Sequence, residues 1–345
     1  MSFAISLWRN DTGWAPWARA ALSPASLIYR AATGVRNAMY DRGTLSEVQA
    51  PIPVISIGNL AVGGTGKTPI AAWMVSALKA RGGRPAIVMR GYGDDEPRVH
   101  ELINPDVPVV VNADRAAGVH DAMKAGADVA VLDDAFQHRR VSRLEDLVLV
   151  SADQWREPIR LLPAGPWREG PRALSRASMV VITRKALDGP RAESLMTRLA
   201  PLTRTGLGVV AALELGDLRN AVTGEARSLS DIRGARVLVA AGIGDPDALA
   251  AQLREAGAHV EIRGFPDHHV YESPDVERLT RDASVFDHTI CTLKDAVKLG
   301  PQWPREGPPL WYVSLRCRIE VGMADVSAML DRVLAARTTQ INRAR

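Results

Sequence analysis

Cysteine is scarce in this sequence. Its 345 residues include two cysteines, Cys291 and Cys317, and both lie in apolar surroundings. Two thiols cannot form the disulfide framework of a small secreted domain, and the sequence contains no Cys-x-x-Cys pair or Cys/His cluster typical of zinc sites. We therefore exclude both classes and expect two buried thiols in a reducing cytosol.

Long apolar runs are missing as well. In the aromatic N-terminal segment, residues 1–44, the longest uncharged run is residues 20–29, and Pro24 interrupts it. A membrane-spanning helix needs about 20 apolar residues, and no clean cleavage site of a signal peptide follows the run. We expect neither a spanning helix nor a cleaved leader.

A strong excess of one charge is also absent. The 43 Lys and Arg residues nearly balance the 39 Asp and Glu residues, so the formal net charge is +4. There is no lysine-rich stripe, and nucleic acid is therefore not an expected partner. An anionic substrate and an anionic membrane surface fit this mild charge equally well.

The N-terminal segment combines aromatic and basic residues. Before position 41 its acidic residue is Asp11, and its aromatic and basic side chains include Trp8, Trp14, Trp17, Tyr29, Tyr40, Arg9, Arg19, Arg30 and Arg36. Aromatic rings and guanidinium groups both find partners at the headgroup level of a membrane. We predict an amphipathic, interfacial helix; the alternative is a helix whose apolar stripe packs on the protein's own core.

Residues 53–68, PVISIGNLAVGGTGKT, form the most informative stretch. A β-branched strand leads into a glycine-rich turn, and an amphipathic helix follows, which is the arrangement of a phosphate-binding loop. Glycine lets backbone N–H groups curve around an anion, and the start of the helix adds the positive end of its dipole. The sequence predicts nucleotide binding here.

The loop residues have distinct expected roles. Ala61 stands where the strict pattern has glycine, so the phosphate cradle is expected to be formed by Gly63, Gly64 and Gly66. Lys67 is expected to reach the β and γ phosphates, and the Thr68 hydroxyl is expected to ligate Mg²⁺. The predicted nucleotide-binding residues are Ala61, Val62, Gly63, Gly64, Thr65, Gly66, Lys67 and Thr68.

Short apolar strands alternate with helical patterns along the rest of the chain, which indicates an α/β fold with a parallel, doubly wound sheet. Predicted strands include residues 85–89, 128–132, 179–183, 209–213 and 311–313. Functional groups of such sheets gather at the carboxyl ends of the strands, where the glycine-rich loop, Arg90 and Asp133 fall.

The length of the chain favours two domains. We predict two α/β/α lobes: a P-loop NTPase-like domain at residues 45–175 and a smaller α/β domain at residues 176–345. The last helix could pack on either lobe.

Carboxylates follow predicted strands at two places. Asp133 and Asp134 end an apolar strand, where a P-loop enzyme places the acid directed to Mg²⁺. Residues 94–96, DDE, follow a glycine-rich turn, and a carboxylate there could accept a proton from an attacking hydroxyl. A solvated acidic loop is the alternative.

Imidazole and guanidinium groups supply further candidates. In residues 265–269, FPDHH, two histidines follow an aspartate, which makes a charge-tuned imidazole as plausible as a structural one. Arg168 lies in a segment rich in proline and arginine, residues 156–178. The guanidinium groups of this segment either bind an anionic substrate or belong to a solvated linker.

Taken together, these motifs resemble one family, the tetraacyldisaccharide 4′-kinases or lipid A 4′-kinases. The matching segments are GNLAVGGTGKTP at 58–69, RGYG at 90–93, DEP at 95–97, DDAFQHRR at 133–140, LLPAGPWRE at 161–169, AGIGDP at 241–246, FPDHH at 265–269 and TLKDAVKL at 292–299. Their order and spacing, from the N-terminal helix to about residue 315, make the resemblance specific.

The resemblance implies a peripheral enzyme on the cytoplasmic face of the bacterial inner membrane. It implies transfer of the γ-phosphate of ATP, with Mg²⁺, to the 4′-hydroxyl of an acylated glucosamine disaccharide 1-phosphate, giving lipid IV-A. The implied roles are Asp95 as catalytic base, His268 as its partner, Asp133 and Asp134 as Mg²⁺-associated acids, and Arg168 and Arg90 as substrate-binding residues.

One departure concerns the base. Asp94 alone separates RGYG from DEP, a segment that is longer in many relatives, and Asp94 is therefore the alternative base.

Two other functions remain open. One is a membrane-associated positioning ATPase, although that class carries lysine where this chain has Val62. The other is a soluble small-molecule kinase or ATP-dependent ligase.

Overall fold

The computed structural model describes residues 7–8, 13–91, 95–186, 188–244, 246–266 and 269–343. The helices are α1 (Ala15–Asp41), α2 (Lys67–Ala80), α3 (Asp95–Ile103), α4 (Arg115–Lys124), α5 (Gly189–Leu199), α6 (Pro246–Glu255), α7 (Ser273–Ala283), α8 (Leu293–Leu299) and α9 (Met323–Arg343). The strands are β1 (Val54–Asn59), β2 (Pro85–Met89), β3 (Val109–Val111), β4 (Val129–Asp133), β5 (Glu145–Ser151), β6 (Met179–Arg184), β7 (Leu207–Asn220), β8 (Ala226–Arg227), β9 (Arg236–Ala241), β10 (His259–Gly264), β11 (His288–Thr292) and β12 (Leu310–Val321).

The chain folds into two compact units. Of the described residues, the larger unit comprises 7–8, 13–91, 100–212 and 317–343, and the smaller unit comprises 95–99 and 213–316, with the gaps given above. Along the chain, β7 begins in the larger unit and ends in the smaller one, and β12 runs in the opposite order. Each unit is therefore assembled from separate stretches of sequence.

The bounds of these units differ from the predicted lobes. Residues 176–212 and 317–345, expected in the C-terminal lobe, lie in the unit that contains the glycine-rich loop. The reason is strand pairing, since residues 179–183 of β6 form a parallel ladder with residues 147–151 of β5. The division at residues 45–175 and 176–345 stays a prediction.

The larger unit is built on a parallel sheet in the order β7-β6-β5-β1-β4-β2-β3. Strand β1 lies between β4 and β5, with Ile57 opposite Asp133 on one side and Leu147 on the other. Every residue of β1 and β4 is buried, as expected for strands covered on both faces. The ends of β1 and β4 therefore lie side by side.

Helices cover both faces of this sheet. Leu195 of α5 packs in one cluster with Val148 of β5. The neighbouring strand residue, Leu147, lines a small apolar cavity with Met74 of α2 and Val326 of α9. Because successive strand residues point to opposite faces, these contacts show the doubly wound arrangement that the sequence predicted. Helix α9 packs on the larger unit.

The smaller unit repeats this architecture. Its parallel strands follow the order β10-β9-β11-β12. On one face Val239 of β9 packs with Leu253 of α6, and on the other face Leu238 packs with Leu279 of α7. The smaller unit is therefore an α/β/α lobe, as predicted.

Helix α1 precedes the first strand of the larger unit. It begins with Pro16 in its first turn, a position where the missing N–H of proline does no harm. Pro24 lies within the helix. Among the helices described, none combines the length and the hydropathy that crossing a membrane would require.

Candidate functional site

The glycine-rich loop joins β1 to α2. Since α2 begins at Lys67, Lys67 and Thr68 are the first two residues of the helix. Gly66 precedes it with φ 88°, a left-handed backbone conformation that favours glycine. The first N–H groups of an α-helix have no carbonyl partner within the helix, so they are suited to binding an anion in the loop.

Contacts with two other segments hold the loop in shape. The Asn59 amide donates to the Thr65 hydroxyl at 2.9 Å, and the Thr183 hydroxyl of β6 donates to the Thr65 carbonyl at 2.8 Å. On the other side, the Val62 N–H donates to the Pro166 carbonyl at 2.8 Å. The loop is therefore fixed between β6 and the proline-rich segment.

Residues 161–169, LLPAGPWRE, pack on the glycine-rich loop within the larger unit. Trp167 is buried and pairs its backbone with Ala61. The Arg168 N–H donates to the Leu60 carbonyl at 2.7 Å. These residues do not form a solvated linker, and their backbone contacts place the Arg168 side chain beside the loop.

Asp134 lies between two cations. It follows β4 with φ 49°, and the Lys67 ammonium is 3.7 Å from its Oδ1. Arg168 donates through Nη1 to Oδ1 at 3.0 Å and through Nη2 to Oδ2 at 3.4 Å, the forked geometry that guanidinium and carboxylate groups favour. Three residues predicted from three separate motifs therefore meet at the carboxyl edge of the sheet.

Asp133, the last residue of β4, pairs with a histidine. Its Oδ2 is 3.0 Å from Nε2 of His100 in α3, and both side chains are buried. An imidazole in this place orients a carboxylate that could ligate a metal. Sequence reasoning missed His100, because it lies 33 residues away in the chain and no local pattern marks it.

A polar network joins this site to α1. The Gln137 amide donates to the Asn59 carbonyl at 2.9 Å and to Glu169 at 3.3 Å. Arg168 donates to the Gln137 side-chain oxygen at 3.3 Å, and Asn37 of α1 donates to Glu169 at 2.8 Å. Gln137 and Glu169 stand in matching motifs of the sequence, but their roles become apparent only from these contacts.

Asp95, the predicted base, is the first residue of α3 and belongs to the smaller unit. The Lys298 ammonium of α8 lies 3.0 Å from its Oδ2. Burial alone would raise the pKa of Asp95, but the hydrogen bond and charge of Lys298, with a further contribution from Lys294, hold that pKa below its ordinary value. Asp95 is therefore ionised at neutral pH.

The histidine motif lies in the same unit as Asp95. His268, the predicted partner of Asp95, and Asp94, the alternative base, lie outside the described residues, and both assignments stay predictions. His269 is described, and its Nε2 is 2.8 Å from Asp275 Oδ2 while its ring stacks on Phe265. His269 therefore has structural partners of its own.

The oxygen donors predicted for a metal are Thr68, Asp133 and Asp134, all in the larger unit. In the parts of the chain that the structure describes, no three or more His, Cys, Asp or Glu side chains are arranged to hold a metal by themselves. Arg90 follows β2 and is exposed, and its substrate role stays a prediction.

Relatives of known name resemble most of this chain. The LpxK family model, described as tetraacyldisaccharide-1-P 4′-kinase, matches residues 18–106 and 95–335. The tetraacyldisaccharide 4′-kinase of Anaeromyxobacter sp. (strain K) is 37% identical, and the match covers 95% of this chain and 94% of that protein. The relative of the same name from Halorhodospira halophila is 37% identical, and the match covers 91% of this chain and 94% of that protein. The relative from Xanthomonas campestris pv. campestris (strain 8004) is 32% identical, and the match covers 90% of this chain and 91% of that protein.

A solved structure agrees with these sequence matches. The "apo" form of LpxK from Aquifex aeolicus, in complex with ATP, matches with a TM-score of 0.71 at 25% identity. The match covers 92% of this chain and 99% of that one, which confirms the predicted α/β P-loop fold. Together the matches favour the kinase over the positioning ATPase. The chain therefore belongs to the tetraacyldisaccharide 4′-kinase family.

Proposed function

We propose that this protein transfers the γ-phosphate of ATP to the 4′-hydroxyl of tetraacyldisaccharide 1-phosphate, which forms lipid IV-A. The observation that carries the proposal is the family match over nearly the whole chain. The glycine-rich loop supports it, because Lys67, Asp134 and Arg168 meet beside that loop. The ATP complex of the Aquifex aeolicus relative supports ATP as the donor.

ATP phosphates bind to the backbone N–H groups of the loop and to Lys67. The N–H groups at the start of α2 face the anion, and the Lys67 ammonium adds a full positive charge. The contact of Lys67 with Asp134 supports this role, since it keeps the ammonium at the edge where phosphates bind. Phosphoryl transfer needs mainly such positioning and charge neutralisation.

The donor set beside the loop fits Mg²⁺. A hydroxyl and two carboxylates are hard oxygen ligands, and Thr68, Asp133 and Asp134 would hold the ion together with phosphate oxygens. When bound, Mg²⁺ neutralises charge on the phosphoryl group that is transferred. The buried contact of His100 with Asp133 supports a carboxylate held in one orientation.

Asp95 accepts the proton of the 4′-hydroxyl. Its carboxylate is ionised at neutral pH, which is the protonation state that a general base requires. His268 orients or tunes this base, as the family resemblance implies. Arg168 and Arg90 bind the anionic disaccharide, and the guanidinium fork of Arg168 suits phosphate as well as carboxylate.

Helix α1 supports a membrane-bound substrate because its apolar side chains are exposed. Trp17 and Ile28 are 80% and 72% exposed. From Trp17, the exposed apolar positions 21, 24, 28, 31 and 35 follow at alternating steps of four and three residues. This spacing places them on one face of the helix.

The opposite face of α1 carries polar side chains that bind the rest of the larger unit. The Ser26 hydroxyl donates to the Leu161 carbonyl at 3.1 Å, and Asn37 binds Glu169. A surface helix of a soluble protein has the reverse orientation. The observed orientation supports an interfacial helix over a stripe buried in the protein's own core. The family resemblance implies that this helix lies on an anionic membrane, at the cytoplasmic face of the inner membrane.

Phosphate transfer from γ-labelled ATP to acylated disaccharide 1-phosphate in mixed micelles tests the proposal. We expect labelled lipid with the wild type and a loss of roughly 10²- to 10⁴-fold in kcat with Asp95→Ala, since a general base typically contributes that much. Labelled lipid from Asp95→Ala at the wild-type rate would move the base to Asp94. No labelled lipid from the wild type, with continued ATP hydrolysis, would favour the positioning ATPase.

A further inference from the structure

Helix α8 lies in the motif at residues 292–299, whose side chains the proposed reaction does not use. The helix carries Lys294, Asp295 and Lys298. Lys294 and Lys298 contact the adjacent residues Glu96 and Asp95, and Asp295 contacts the loop after β9. Lys294 and Lys298 are one turn apart and therefore share a face of the helix. The partners of these three residues include the predicted base.

Asp295 fixes α8 in place. Its buried carboxylate accepts hydrogen bonds from the Gly242 N–H at 3.1 Å, the Tyr271 hydroxyl at 2.8 Å and the Thr292 hydroxyl at 2.7 Å. These donors come from the loop after β9, from the segment before α7 and from the start of α8 itself. A buried, fully bonded carboxylate of this kind makes the short helix a rigid support.

Lys298 projects from this support to two motifs at once. Its Nζ lies 3.0 Å from Asp95 Oδ2 and donates to the backbone carbonyl of His269 at 3.3 Å. The side chains of Lys298 and Asp95 are 19% and 7% exposed, so the pair is shielded from solvent screening. One ammonium therefore joins the acidic motif to the histidine motif.

The histidine end of this bridge is itself fixed. The His269 imidazole lies 2.8 Å from Asp275 Oδ2. Its ring stacks on Phe265 with centroids 4.9 Å apart and meets Tyr271 edge-on at 5.0 Å. Because the side chain is held on three sides, the His269 carbonyl is a fixed acceptor, which limits the freedom of the Lys298 ammonium to leave Asp95.

We propose that Lys298 is a positioning residue for the transfer reaction, whose ammonium holds the Asp95 carboxylate and the backbone of the histidine motif in one fixed arrangement. This inference rests on the proposed role of Asp95 as the base. Lys298 acts through Asp95 and touches no reacting atom. Lys294 is a natural control, because it binds Glu96 at 3.0 Å from the same helix.

Burial raises the pKa of Asp95, and the hydrogen bond and charge of Lys298 act against burial and lower that pKa. The charged and titratable groups described around Asp95 are Lys298 and Lys294 of α8 and Glu96 of its own helical turn, and Lys298 also contacts the backbone carbonyl of His269. An opposite charge this close lowers the pKa of a carboxyl group by about 1–3 units. Removing it raises the pKa of Asp95, so the acidic limb of kcat/KM moves to higher pH.

The experiment compares wild type, Lys298→Met, Lys298→Arg and Lys294→Met in the labelled-phosphate assay across pH. We expect Lys298→Met to lose roughly 10- to 100-fold in kcat, as for groups that orient a reactive side chain. Its KM for ATP stays within about threefold, because the glycine-rich loop is unchanged. The acidic limb moves up by about one pH unit or more. Lys298→Arg restores most of kcat, and Lys294→Met moves the limb less than Lys298→Met does, because Lys294 makes the smaller contribution to the pKa of Asp95.

Two outcomes would overturn the inference: an unmoved acidic limb in Lys298→Met, or equal effects of Lys298→Met and Lys294→Met. If Lys298→Met does not fold, as judged by its thermal transition, Lys298→Gln takes its place in the same comparison. A folded Lys298→Gln variant with the wild-type pH profile would equally contradict the positioning role of Lys298.

A double variant separates this inference from the proposed function. If Lys298 acts through Asp95, adding Lys298→Met to Asp95→Asn causes no further loss of kcat, because both changes remove the same contribution. A further loss equal to that in the wild-type background would overturn the inference. Wild-type turnover by Asp95→Asn alone would instead refute Asp95 as the base.

Discussion

At the scale of single residues, the site relies on carboxylates whose charge is matched by specific partners. Asp134 is held by Lys67 and Arg168, and Asp133 is held by His100. Buried or half-buried charges are tolerated when they are paired, and each partner also fixes the direction of the carboxylate. The consequence is a preorganised acidic pair beside the glycine-rich loop.

We predict that His100→Ala raises the Mg²⁺ concentration needed for half-maximal activity by roughly 10- to 100-fold, because Asp133 loses the imidazole that orients it. The measurement is labelled-phosphate transfer against Mg²⁺ concentration. His100→Asn, which keeps a donor, should recover part of the loss. His120→Ala in α4 is the matched control, since its imidazole contacts only the Ala116 carbonyl of its own helix in the described contacts. An unchanged Mg²⁺ dependence of His100→Ala would contradict this role.

The sequence predicts some of these residues and not others. Lys67, Thr68 and the pair Asp133 and Asp134 belong to contiguous motifs whose backbone geometry is local. His100 and Lys298 act on residues that are far away along the chain. Their roles depend on tertiary contacts. The local sequence around each of them is that of an ordinary helix, so it does not reveal a function.

At the scale of whole elements, α1 is distinguished by the face that it exposes. The helix binds the rest of the larger unit through Ser26 and Asn37. Its exposed face carries a row of apolar side chains that includes Trp17 and Ile28. Contiguous exposed apolar surface of this kind marks an interaction site. For a kinase of an acylated substrate, the bilayer interface is the expected partner.

We predict that Trp17→Ser combined with Ile28→Ser lowers binding to anionic vesicles by more than about 10-fold, since each large apolar side chain contributes about 1.5–3 kcal/mol when buried. Sedimentation with vesicles measures this. Val285→Ser, which changes an exposed apolar residue of the smaller unit, is the control and should sediment as the wild type does. Equal sedimentation of all three proteins would show that α1 does not bind lipid.

Predictions of strand positions were accurate where strands are buried on both faces. β2 matches the predicted residues 85–89, and β4 differs from its prediction by one residue at each end. β7 and β12 are far longer than the predicted segments 209–213 and 311–313. Beyond Leu215, buried and exposed residues alternate along β7, so this part of the strand contains no continuous apolar run that would predict it.

At the scale of the whole molecule, the sequence predicted two α/β lobes but not how the chain is shared between them. Division into successive segments assumes that each lobe is continuous. The chain instead leaves the larger unit at residue 213 and returns to it at residue 317. Only strand pairing and packing reveal such a return, since no change of composition marks either position.

We predict that ATP with Mg²⁺ raises the thermal unfolding midpoint of the wild type, because a ligand present at about 100 times its Kd stabilises the folded state by about 2.7 kcal/mol. Lys67→Ala should lose most of this shift and all turnover. Lys79→Ala, at the far end of the same helix and in an exposed pair with Asp106, should keep the shift. Equal shifts in Lys67→Ala and wild type, measured by scanning fluorimetry, would contradict phosphate binding by Lys67.

The return of the chain in β12 and α9 has a consequence for synthesis on the ribosome. Val326, Met329 and Leu330 of α9 are buried in the larger unit, so its core is complete only after the last helix has emerged. The stretch Leu213–Arg316 of the smaller unit is made earlier and can begin to fold first, since domains generally fold as units while the chain grows. A premature stop after Val321 would keep every residue of the candidate site and still deprive the unit that holds the glycine-rich loop of part of its core.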